Sequence, residues 1–156
     1  MTMLIACVKP IRFVSLMLAV SMQTSAPAKP ARKVDLSQYP GPVRETIQRE
    51  TQHATLKGVS KEKEKGQTQY EVETIVDGKS RDLLLDPTGK ILEIEEEIAV
   101  ETAPAAVRDS LKSRGTLVKL ERVQRHGAVS YEAQLKGKSG KKTSVTLDAD
   151  GKPMKG

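Results

Sequence analysis

The chain has 156 residues, 26 basic against 20 acidic side chains for a formal net charge of +6, and only one phenylalanine, three tyrosines and no tryptophan. Its core must therefore be aliphatic, and the scarcity of rings to stack bases, with the export signal read below, argues against a nucleic-acid partner despite the charge. The one cysteine, Cys7, excludes an internal disulfide framework, and its position in a segment read as removed on export also excludes zinc-thiolate sites and cysteine nucleophiles.

Lys9 and Arg12 stand at the head of the apolar run Phe13–Val20, which is followed by small residues ending at Ala26-Pro27-Ala28. Basic, apolar, then A-x-A is the order of a secretory signal peptide, placed at residues 1–28. The run is shorter than the roughly 20 apolar residues that span a bilayer. The protein is thus expected in the periplasm or outside the cell, and would meet the membrane only through this segment, if it stays uncleaved. Residues 29–35, rich in Pro, Ala and Lys without an apolar period, read as a linker. The remaining charge is uneven. Residues 36–98 carry nine basic and thirteen acidic side chains, and residues 99–156 carry twelve and six. A basic second half suits an acidic partner or anionic surface, or else is a solvated Lys-rich face.

The first element after the linker opens at Tyr39-Pro40-Gly41-Pro42. Proline is tolerated in a first helical turn, and Val43 and Ile47 share one face, so a helix is predicted over 42–51. Such a short helix is marginal in water and must pack on something. Strands follow near Leu56–Lys63, at Tyr70–Val76 with Glu71 and Glu73 alternating, at Arg81–Leu85, and at Ile91–Ile94. Gly66 and the Asp77-Gly78 pair mark hairpins, and Asp86-Pro87-Thr88-Gly89 fits a turn. The same series then repeats. Pro104 opens a helix over 104–113 with Val107 and Leu111 on one face. Strands near Leu117–Val123, at Val129–Leu135 and at Thr143–Leu147 follow, with turns at Gly127, Gly137–Gly140 and Asp148–Gly151. The matches Val43/Val107, Tyr70/Tyr131 and Leu85/Leu147 lie 64, 61 and 62 residues apart. A period near 60 residues is too long for a solenoid and points to a duplicated αβ unit. The expected architecture is α+β: two tandem modules, residues 36–98 and 99–156, each a short helix packed on a four-stranded antiparallel sheet, the last strand of the second being a stub.

Chemistry is sparse. His53 and His126, without thiols or clustered carboxylates, are too few ligands for a structural zinc. Asp148-Ala149-Asp150-Gly151 resembles the opening of a calcium loop but lacks the later oxygen ligands and reads as a turn. Glu93, Glu95 and Glu97 fall on one strand face, expected to meet water and to blunt an edge. No nucleophile elbow or phosphate-cradling loop is present. No catalytic, metal or cofactor-binding residue is assigned, no cofactor is expected, and the binding residues stay unknown. Tyr70 and Tyr131 alternate with Val72 and Ala133 and read as core, with an interface role as the other reading.

The pattern Pro-x-x-Val-Arg-x-x-Ile at 40–47 with its echo at 104–111, the extended Tyr70-Glu71-Val72 and Tyr131-Glu132-Ala133, and Leu-Asp-x-x-Gly-Lys at 85–90 and 147–152 resemble the PepSY and PepSY-like families. Those are small exported αβ modules related in fold to beta-lactamase inhibitory proteins. The resemblance implies a non-enzymatic exported module, of the kind for which peptidase inhibition or regulation has been suggested. It transfers no functional residue. The function expected is binding to another exported protein, a peptidase or other envelope component. The alternative is a small-ligand or ion sensor holding its ligand between the two modules.

Overall fold

The structure, a computed structural model, describes residues 34–154, so the signal peptide and most of the linker lie outside the described residues. In chain order the elements are α1 (Gly41–Glu50), β1 (Thr55–Glu64), β2 (Gln67–Val76), β3 (Lys79–Leu85), β4 (Ile91–Glu97), a 3₁₀ turn (Val100–Thr102), α2 (Ala105–Lys112), β5 (Thr116–Arg125), β6 (Ala128–Lys136) and β7 (Lys142–Leu147). The predicted helices and strands are thus present within a few residues of their expected bounds.

Their grouping is not. The seven strands form one antiparallel sheet in sequential order, β1 to β7. The join is β4 with β5, paired from Glu93↔Arg125 to Glu97↔Glu121 and extended by the Ile98 amide donating to the Leu120 carbonyl at 2.9 Å. This overturns two tandem modules with a four-stranded sheet each: the fold is mainly β, with two short helices on one face of a single sheet. The physical reason lies in β4. A strand ending one repeat has the same alternation whether its outer edge meets water or another strand, and pairing with β5 satisfies amides that an edge would leave open. The expected eighth strand is reduced to one bridge, Leu147↔Pro153.

Local chemistry explains the connections. Asp77 and Gly78 both have positive φ, 50° and 80°, which matches a two-residue type I′ hairpin to the twist of its strands. Lys65-Gly66 and His126-Gly127 turn the same way. The Asp86 and Asp148 carboxylates each accept amide hydrogens two and four residues on, Thr88 and Lys90 in one case and Asp150 and Lys152 in the other. Both wind the chain into a tight loop whose glycine meets the start of a helix. A Cβ on Gly89 would collide with the Pro42 carbonyl, whose carbon lies 2.7 Å away, and one on Gly151 would collide with that of Ala106, also with its carbon at 2.7 Å.

The helices cover two separate apolar clusters on one sheet face. Val43 and Ile47 of α1 pack on Tyr70, Val72, Leu83 and Leu85, whereas Val107 and Leu111 of α2 pack on Leu120, Tyr131, Ala133, Leu135 and Leu147. An ion network lies on the same face. Arg81 reaches Glu50 at 3.1 Å and Glu96 at 3.3 Å, and Arg122 reaches Glu96 at 2.6 Å. The other face has no helix, and the candidate site is there.

Candidate functional site

Strand alternation sends every second side chain to the face opposite the helices. In β2 these include Glu71 and Glu73, in β3 Asp82, in β4 Glu93, Glu95 and Glu97, in β5 Glu121, and in β6 Glu132. The pairing register brings them side by side. Glu73 stands opposite Asp82, Asp82 opposite Glu95, Glu97 opposite Glu121, and Glu121 opposite Glu132. Like charges directly across a ladder are unfavourable, so this band stores electrostatic repulsion.

Two cations offset part of it. Arg125 forms a bidentate pair with the buried Glu93, and Lys119 lies 2.6 Å from Glu121. The contact with Glu93 holds the Arg125 guanidinium above its usual range, burial opposing. Glu132 is 8% exposed and has no ion pair or side-chain hydrogen bond among the described residues. Burial, then Glu121 and Glu93, pushes its carboxyl up. Glu95 carries the largest change. Burial, reinforced by Glu93, Glu121 and Glu132, pushes it from 4.5 up to about 8, and a hydrogen bond to Glu93 favours its protonated form. Burial likewise raises Asp82 and Glu71, with neighbouring carboxylates adding to both.

The acidic run of β4 lies in the interior of the sheet and not at the water-facing edge that its alternation predicts. Glu93, Glu95 and Glu97 do share a face, but β4 is the fourth of seven strands and Glu93 is 6% exposed, so the run does not blunt an edge. The other residues singled out in the sequence do not assemble. His53 is exposed just after α1, and His126 is exposed in the β5–β6 turn. Asp148 and Asp150 belong to the turn at Gly151. No group of three or more metal-ligating side chains is found among the described residues. Tyr70 and Tyr131 are core residues under the helices. The carboxylate band escaped sequence reading because its members come from five strands. Only the alternation of Glu71/Glu73 and Glu93/Glu95/Glu97 hinted at it.

The remaining surface offers shallow, open depressions, one between Leu36, Ser37 and α1 and one between Arg49, His53, Val76 and Arg81. A ligand clamped between two modules has no place in this fold, because β4 and β5 are hydrogen-bonded neighbours where the cleft would be. Among the described residues no helix is long and apolar enough to cross a membrane.

A single antiparallel meander carrying two helices on one face and an open acidic face on the other is the class this chain defines. No family model and no curated protein matches it. Solved structures do. A Bacteroides eggerthii protein provisionally assigned to the periplasm is similar with a TM-score of 0.61 at 17% identity, over 75% of this chain and 86% of that one. A DUF2874 family protein of Bacteroides uniformis is similar with a TM-score of 0.60 at 13% identity, over 74% and 86%. A BLIP-like protein of Bacteroides fragilis follows with a TM-score of 0.55 at 14% identity, over 75% and 84%. At these identities the likeness is one of fold. It accords with the BLIP-like part of the resemblance read from the motifs, whereas PepSY membership is not shown.

Proposed function

We propose that this protein is an exported, non-enzymatic binding module that engages another exported protein through the open face of its sheet. The observation that carries the reading is the asymmetry of the two faces. One is filled by α1, α2 and their apolar clusters, and the other leaves a continuous band of side chains uncovered by any described element. The fold likeness to a BLIP-like protein and to a protein provisionally assigned to the periplasm supports a binding role. Inhibition or regulation of a peptidase or another envelope protein is the finer form of this reading. Export rests on the N-terminal order of residues 1–28, and intact mass of the exported protein should place its first residue within Ala26–Lys29. Retention of Met1 would refute it.

The test of the binding face is site-specific photo-crosslinking in the native host. A crosslinker at Ser130 or Thr146, on the open face, should yield one discrete adduct that competes with unlabelled protein. The same group at Gln48, exposed on α1, should not. Adducts only from Gln48, or none from any position, would remove the open face as the docking surface.

A further inference from the structure

The centre of the open face carries an excess of negative charge, in Glu95, Glu121 and Glu132, although no fully buried side-chain oxygen among the described residues lacks a hydrogen-bond partner. Glu121 and Glu132 are directly opposed across β5 and β6, 3% and 8% exposed. Lys119 pairs with Glu121 and acts on Glu132 only through its field, and Glu132 has no ion pair of its own among the described residues. Glu95 stands between Asp82 on β3 and the apolar Val123 on β5, with Ser130 of β6 beyond Val123. The charges of Glu93 and Glu97 on its own strand, Glu73 on β2 beyond Asp82, and the diagonal Glu121 on β5 and Glu132 on β6 surround that position. The cations near it, Arg125 and Lys119, are already paired with Glu93 and Glu121. Carboxylates held close together and kept from water are stabilised by a positive group with several donors, which a guanidinium or ammonium provides.

Resting on the binding face proposed above, we infer that the occupant of its centre is a cationic side chain, Arg or Lys, presented by the partner protein to Glu95 and Glu132. A second copy of this chain is disfavoured there, since two such faces would bring one carboxylate band against another. The match is one of charge complementarity, which governs association rate and partner choice. It also ties binding to pH. The partner's cation favours the ionised Glu95, whose carboxyl in the free protein titrates at about 8, so affinity rises as pH increases from 6 to 9.

The test uses the exported chain and a fluorescent peptide of alternating Gly and Arg, with a Gly/Glu peptide as control, followed by anisotropy at low salt. The Gly/Arg peptide should bind saturably and the Gly/Glu peptide should not. E95Q/E132Q should weaken binding at least tenfold and abolish its rise with pH. E45Q/D109N removes two carboxylates from the helices, which matches the net-charge change of E95Q/E132Q at pH 9, where Glu95 is ionised, and at that pH should leave affinity within about twofold. Equal losses in the two double variants would mean unspecific attraction and would overturn the inference, as would saturable calcium binding that displaces the peptide. Thermal melts establish that both variants are folded. The outcomes separate the two readings. A crosslinked partner that binds E95Q/E132Q as well as wild type would leave the open face standing and remove the cation. Failure of the crosslinking itself would remove the face.

Discussion

The first four strands with α1 and the last three with α2 solve the same packing problem with different fastenings. Both set an apolar pair of the helix, Val43/Ile47 or Val107/Leu111, on the sheet, and both press a glycine turn against a carbonyl in the first turn of the helix. Both pass through an irregularity at the corresponding place in the first strand of the hairpin, between Leu56 and Gly58 and between Leu117 and Lys119. The first half adds polar locks. The Thr46 hydroxyl donates to the Gly89 carbonyl at 2.7 Å, and the Tyr39 hydroxyl donates to the Val59 carbonyl at 2.7 Å while its ring stands edge-on to Tyr70. In the second half Ser110 takes the place of Thr46 without a comparable side-chain bond, and α2 is eight residues long against ten for α1. The difference teaches that close backbone approach and apolar contact suffice to seat a short helix on this sheet, and that the hydroxyls add to a docking already defined.

The sharpest way to break the comparison is to block the shared feature. Gly89→Val and Gly151→Val each put a branched side chain at positive φ, 79° and 74°, and into a helix carbonyl. Each should cost on the order of 3 kcal/mol or more, since the strained backbone alone is worth about 1–3. That is a large share of the roughly 5–15 kcal/mol that holds a domain. The Ala106 contact is as close as the Pro42 contact, so the two losses should be similar even though little strand follows Gly151. If either variant unfolded in urea like the exposed control Lys61→Ala, expected within about 0.5 kcal/mol of wild type, the glycine docking would be wrong for that half.

A smaller effect probes what joins the halves. The carboxyl of Glu95, on the strand that pairs them, is raised in the fold, so its contribution is fully present below about 4.5 and is lost as pH rises towards about 8. Melting temperature should decline across that window, with Asp82, Glu71 and Glu132 acting in the same direction. Glu95→Gln should be near wild type at pH 5 and more stable than wild type at pH 8, by on the order of 1–3 kcal/mol after allowance for residual solvent screening. Parallel pH profiles for the two proteins would contradict the crowding described for β4.

Smallest are the polar locks. Thr46→Val should cost about 1 kcal/mol, because it leaves the buried Gly89 carbonyl without its side-chain donor, and Ser110→Ala should cost less than about 0.5. Tyr39→Phe keeps the ring contact and should lose roughly 0.5–1.5 kcal/mol in denaturant titrations. Equal effects at Thr46 and Ser110 would erase the asymmetry.

By itself the sequence determined the local pieces. Apolar residues four apart placed Val43/Ile47 and Val107/Leu111 on helix faces, alternation marked β2, β3, β6 and β7, and the turns beside them placed β1, β4 and β5. Asp-Gly and Asp-x-x-Gly named the turns, because each of these signals depends on contacts within a few residues. Tertiary structure alone decided which strand β4 would pair with on its far side, and therefore that there is one sheet and no cleft between modules. Strand pairing is a contact between backbones, whose chemistry is the same in every strand, so no side-chain pattern in Ile91–Glu97 could specify it. The candidate site was hidden for the same reason. Glu132 and Glu121 are unremarkable acids along the chain, and they become a buried, repelling pair facing Glu95 only when β4, β5 and β6 lie side by side.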